Sequence, residues 1–211
     1  MAGEHDGGQD RSDGESPGEQ RPSLLDRTIS YPELLDDGAL GIYPQVPLRR
    51  WFRDRETMSV GEALGLRTHA GWIFWAIMRD EVLPDRVMHL LAAQYAREFL
   101  TRMTARGTYL DFRTERALAA KESWLEEQIS LGELSTARDA ARRAYDDVAD
   151  YGDQDVSACA AMVLLALAER GQDAQRQAFY FFQESFPLRA DQRWLLRRAK
   201  ATLAARDLAF A

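Results

Sequence analysis

Cysteine is nearly missing from this sequence: Cys159 is the single one in 211 residues. No internal disulfide can form, and its place in the small-residue run Ser157 to Met162 makes packing its expected job. Histidine is almost as scarce. His5, His69 and His89 show no H-x-x-x-H or H-E-x-x-H spacing, so no pair of ring nitrogens meets a metal across one helix turn. His89 reads as a partly buried or surface side chain. No Walker A loop, G-x-G-x-x-G or nucleophile elbow occurs, which leaves nucleotide binding and acyl transfer without support. The expectation is a chain with no catalytic residues, no resident metal and no cofactor.

Long apolar runs are missing as well. The longest, Ala158 to Ala168, is far short of the ~20 residues that span a bilayer, and no basic-then-apolar leader opens the chain. A cytoplasmic protein without membrane contact is expected. Lysine is rare too: Lys121 and Lys200 stand among 27 basic residues, and this arginine bias with abundant alanine points to a GC-rich bacterial genome.

What is present suffices for a core, with 45% hydrophobic and 29% charged residues. The net charge of −7 is concentrated at one end: ten acids and three bases lie through Leu40, and the remainder balances 24 with 24. Residues 1–23 hold almost no large apolar side chain, cannot offset their chain entropy by burial, and read as a disordered acidic tail. Residues 24–58 gain apolar anchors but are broken by Pro32, Pro44 and Pro47, which predicts an irregular strap packed on a helical domain of residues 59–211.

From Ser59 onward the punctuation is helical. Ser59 and Glu62 form a capping box. Thr68 opens a helix so densely apolar (Trp72, Ile73, Trp75, Ile77, Met78) that it belongs in the centre. Pro84, at a first helical position, opens a long helix that Gly107 ends. A helix over Phe112 to Ile129 carries Leu118, Leu125 and Ile129 on one stripe with Trp124 beside it, while Glu122 and Glu126 beside Lys121 read as an exposed face. Ser130 and Glu133 cap an alanine-faced helix, and Val156 to Glu169 forms another that Gly171 ends. Asp173 caps an aromatic helix, and a basic one runs from about Leu188 to Asp207. No strand-type alternation appears, so the expected fold is an all-α antiparallel bundle of roughly seven to eight helices.

Three groups of residues carry possible binding chemistry. Asp146, Asp147, Asp150, Asp153 and Asp155 form a D-D-x-x-D run with continuation, readable as a solvated acidic corner, a dock for a basic partner, or a magnesium site of a helical enzyme if Glu122 and Glu126 supply a second acid cluster. Phe179, Tyr180 and Phe182 put aromatics around one helix, as core or as a partner or dimer surface. Arg193, Arg197 and Arg198 could contact phosphates, although an acidic tail and a neutral body disfavour nucleic acid.

The stretch from Asp85 to Leu100, then Arg116 to Trp124, Ile129 to Leu134 and Ala137 to Ala141, resembles a family of bacterial and phage immunity proteins of polymorphic toxin systems. That family reads roughly R-L-A-x-x-x-A-E-R-V-L, followed by A-I-E-A-x-R-x-W and G-E-I-S-x-x-E-L-x-A-A-R-x-A-A. The likeness spans about Thr68 to Glu169. Its usual Gly-Glu before the Ile-Ser step is Glu127-Gln128 here, and the downstream alanine tract is shorter. The resemblance implies an all-α protein that neutralises a toxin by stoichiometric binding, with no catalytic residue to transfer. The sequence reading is accordingly a protein-binding helical module, with the magnesium-dependent enzyme and the nucleic-acid regulator as alternatives and a homodimer as a further option.

Overall fold

The computed structural model describes residues 23–36, 48–149, 154–171 and 189–210. The expected acidic tail before Ser23 and the aromatic helix after Asp173 lie outside the described residues. Within them the chain is helical, with nine helices and one two-stranded ribbon.

The described parts of residues 24–58, namely 24–36 and 48–58, are more regular than expected, while Pro44 and Pro47 lie outside the described residues. Strand β1 (Thr28–Ser30) pairs antiparallel with β2 (Thr57–Ser59), and the register sets Ile29 opposite Met58. Both are buried, so the ribbon turns one apolar face to the body. Helices α1 (Tyr31–Asp36) and α2 (Leu48–Phe52) add Leu34, Leu48, Trp51 and Phe52 to the same core. The Tyr31 and Phe52 rings meet at 5.4 Å, and Trp51 reaches Trp72 at 6.2 Å. Three-residue strands are too short to show alternation, which is why the ribbon left no trace in the pattern.

The capping box at Ser59 forms as expected: its hydroxyl accepts from the Glu62 N–H at 3.1 Å while the Glu62 carboxylate accepts from the Ser59 N–H at 2.8 Å. It opens α3 (Val60–Ala63). Helix α4 (Ala70–Ile77) is wholly apolar and central, though His69 rather than Thr68 precedes it; His69 Nδ1 accepts the Gly71 N–H at 3.1 Å. Pro84 stands just outside α5 (Asp85–Ala105), and Gly107 closes it at φ +90°, the left-handed conformation that glycine adopts freely. Helix α6 (Phe112–Leu125) stops four residues earlier than expected, because Glu127 adopts φ +62° and turns the chain. The Ser130 and Glu133 box then starts α7 (Leu131–Ala149). Helices α8 (Gln154–Ala166) and α9 (Arg189–Phe210) complete the order.

Helices α5 to α8 pack as a four-helix group, with α4 and α9 laid against the α5 side. The closest pair is α6 with α7, where buried Ala141 and Ala144 let the backbones approach. Antiparallel packing brings the start of α5, the end of α6, the start of α7 and the end of α8 to one end of the group. No helix among the described residues is long and apolar enough to cross a membrane.

The strap is thus part of the core, and Phe52, 1% exposed, is its largest fully buried ring. Phe52→Ala is expected to cost roughly 3–5 kcal/mol in a urea titration read by far-UV circular dichroism; a loss under about 1 kcal/mol would show that the strap contributes little to the body.

Candidate functional site

The buried stripe of α6 contains one charged residue. Leu118, Lys121 and Leu125 follow one another by three and four positions, so Lys121 points inward with the two leucines and is 0% exposed. This corrects the expectation that Lys121 shares an exposed face with Glu122 and Glu126. Glu122 does lie at the surface side, paired with Arg97 at 2.9 Å, and Glu126 is exposed.

Among the described residues, no carboxylate is in contact with Lys121. Its Nζ lies 3.0 Å from Nδ1 of His89, which is 1% exposed and not the partly exposed side chain expected of it. On the far side of the imidazole, Nε2 is 3.1 Å from Oδ2 of Asp85. The consistent proton placement is Lys121 N–H donating to Nδ1 and Nε2–H donating to Asp85, with a neutral ring between. Asp85 occupies the first position of α5, four residues before His89, and its Oδ1 accepts the Gly171 N–H at 2.6 Å.

Gly171 is required by this contact. A Cβ there would lie 2.5 Å from the Met88 Cβ and 3.0 Å from the Asp85 carbonyl oxygen, so no side chain fits between α5 and the chain leaving α8. Trp124 covers the opposite side: Nζ lies 4.2 Å from its ring centroid, and the His89 ring meets it edge-on at 5.2 Å. Arg86 holds the end of α6 in place, donating to the Leu125 carbonyl at 2.5 Å and to Glu127 at 2.6 Å.

Above these groups opens a pocket of about 330 Å³. Lys121, His89 and Trp124 form its floor, Leu131, Leu134 and Leu167 its apolar walls, and Arg138 and Glu169, joined at 2.8 Å, its polar rim.

Burial dominates the electrostatics. It lowers Lys121 from 10.5 to about 8, partly offset by the Asp85 charge. Burial also lowers His89, helped by the Lys121 charge and opposed by Asp85 and the Glu169 carbonyl. The proton shared by the pair therefore resides on Lys121, and the imidazole stays neutral.

The residues singled out from the sequence lie elsewhere. Asp146 and Asp147 are exposed at the far end of α7, where Asp147 accepts from Arg113 at 2.6 Å and Arg113 also grips Asp111, the cap of α6, at 2.7 Å. These contacts hold the Arg113 guanidinium charged and pull Asp111 below the usual carboxylate range. Arg113 and Glu126 are separated by about 20 Å of helix, so Glu122 and Glu126 do not join that acidic end. Asp155 is exposed in the first turn of α8, while Asp150, Asp153, Phe179, Tyr180 and Phe182 lie outside the described residues. Arg193, Arg197 and Arg198 are exposed on α9, and its Trp194 faces the body under Arg102 at 5.4 Å. Among the described residues, no group of three or more His, Cys, Asp or Glu is arranged to hold a metal ion.

Compared with known proteins, the chain matches no family model, no curated protein and no solved structure. Its site is therefore read from its own chemistry: an all-α bundle with a buried amine at the floor of a half-open pocket.

An ammonium kept in the interior with no carboxylate in direct contact among the described residues costs stability. Because the folded value is depressed, the unfolded chain holds the extra proton between pH 8 and 10.5, and wild-type stability rises through that window. Below pH 8 the penalty is complete, on the order of 3 kcal/mol. Lys121→Met is expected to melt higher than wild type at pH 7, with the gap closing as pH rises above 8. A gap independent of pH would show that Lys121 is not buried as an ammonium.

Proposed function

We propose that the protein is a helical binding module whose ligand is a small organic molecule with an apolar body and one oxygen-bearing head. The observation that carries this reading is the buried ammonium of Lys121, held by the neutral ring of His89 and by Trp124, beside an open pocket. A buried charge met only by neutral groups is retained where a ligand completes it, since folding alone would favour an apolar residue there. The walls of Leu131, Leu134 and Leu167 and the flat face of Trp124 suit a ring or short chain, and the floor supplies one strong donor.

Ser135 lies on the pocket wall yet is exposed, so Ser135→Trp fills the space without entering the core. In a thermal-shift screen of small carboxylates and carbonyl compounds, at least one should stabilise wild type, by about 2.7 kcal/mol at a hundredfold excess over Kd, and not the variant. If every compound that shifts wild type shifts Ser135→Trp equally, the pocket is not the site.

The stoichiometric toxin-binding reading implied by the immunity-family resemblance has one observation in its favour. Tyr109, on the turn between α5 and α6, and Phe112, the first residue of α6, are 78% and 66% exposed on either side of Asp111, which Arg113 fixes. Exposed aromatics on a rigid turn are the residue type that anchors protein interfaces. Affinity capture with the products of neighbouring genes should then recover a protein that a Tyr109→Ala, Phe112→Ala double variant loses; equal recovery by both would remove this reading.

A further inference from the structure

We propose that Lys121 is a nucleophilic amine that forms a reversible imine with a small aldehyde or ketone held in the pocket, with His89 carrying the protons. This rests on the pocket reading above and adds the class of the ligand.

Three features point past simple anion binding. First, a receptor for a carboxylate uses several donors, whereas the second cation of the pocket, Arg138, is already joined to Glu169 at 2.8 Å. Second, the polar neighbour of Nζ is a base: Nδ1 of His89 at 3.0 Å presents its lone pair to the amine, because Nε2 is turned to Asp85 at 3.1 Å. An anion site has no use for such a base, and an amine that must lose protons does. Third, Lys121 is fully buried, and withdrawal from water favours the neutral amine over the ammonium. Burial brings Lys121 down to about 8, leaving a reactive fraction near neutral pH.

The step balances without an oxidant or reductant. The Nζ lone pair forms the C–N bond as the carbonyl π pair moves to oxygen. One nitrogen proton passes through His89 Nδ1 to that oxygen, giving the carbinolamine. The nitrogen lone pair then expels the hydroxyl, which leaves as water with the second nitrogen proton, again carried by His89. One carbonyl and one amine become one imine and one water.

The chain supplies its own control, because the second lysine, Lys200, is exposed on α9. Wild-type protein is incubated with benzaldehyde and sodium cyanoborohydride near pH 7, and the reduced benzyl adducts are mapped by peptide mass spectrometry. Lys121 should be modified at least about tenfold faster than Lys200. The rate at Lys121 should level off as the pH is raised above about 8, where its amine is already mostly neutral. Excess benzoate, similar in shape but without a reactive carbonyl, should slow Lys121 alone, and Ser135→Trp should do the same. If benzoate stabilises wild type but not Ser135→Trp while Lys121 reacts no faster than Lys200, the imine is overturned and the pocket reading stands. Fast labelling of Lys121 that neither benzoate nor Ser135→Trp slows also overturns it, since the reaction would not pass through the pocket.

Discussion

A charge drawn into the interior sets the terms on which four helices meet. Lys121 cannot be left without hydrogen bonds, so His89 must face it from α5, and His89 in turn needs an acceptor for its second nitrogen. Asp85 provides that acceptor from the first turn of α5, where the helix dipole favours a negative group. Its other oxygen is taken by the backbone of Gly171. One ammonium on α6 thereby fixes the rotation of α5, the end of α8 and the side-chain-free contact between them. Trp124 closes the remaining side with the one surface that accommodates both an ammonium and an apolar wall.

The two ends of the group solve different problems. At the far end Arg113 joins Asp111 and Asp147 across α6 and α7, all of them at least partly in contact with water. Such pairs set register and contribute little stability, because solvent competes for every member. At the pocket end one charge, that of Lys121, is withdrawn from water, while Asp85 and Glu169 keep contact with it. Strain of that kind concentrates where a protein meets something else, while surface pairs of the Arg113 kind hold the scaffold still around it.

Much of the fold was legible in the sequence because helix ends are written in local chemistry. The Ser59 and Glu62 pair, the Ser130 and Glu133 pair, and Gly107 each satisfy orphan backbone groups within a few residues, so no long-range knowledge is needed to place them. The ribbon of Ile29 and Met58 escaped because its pairing spans a long separation and its strands are too short for a pattern. The site escaped for another reason. The charged neighbours Glu122 and Glu126 suggest an exposed face for Lys121, although its spacing from Leu118 and Leu125 puts it on the buried stripe. His89 shows no metal spacing, and its informative relation is the i, i+4 one to Asp85. Gly171 has the local look of a helix stop, yet its lack of a side chain serves a contact 86 residues away. Periodicity applied to the charged residues as strictly as to the apolar ones would have found Lys121; the pocket itself is a product of tertiary packing and has no sequence signature.

That separation of 86 residues has a kinetic side. The turns joining α5 to α6 and α6 to α7 are short, so those helices can find each other through local contacts soon after they form. The bond between Gly171 and Asp85 closes a loop that encloses all of α5, α6, α7 and α8, and its entropy must be met before the contact returns anything. Until it closes, α8 does not cover His89 and Lys121, and the Lys121 amine keeps the proton affinity of a lysine in water. The lowered proton affinity of Lys121 is therefore acquired only when α8 packs over it, since it comes from burial.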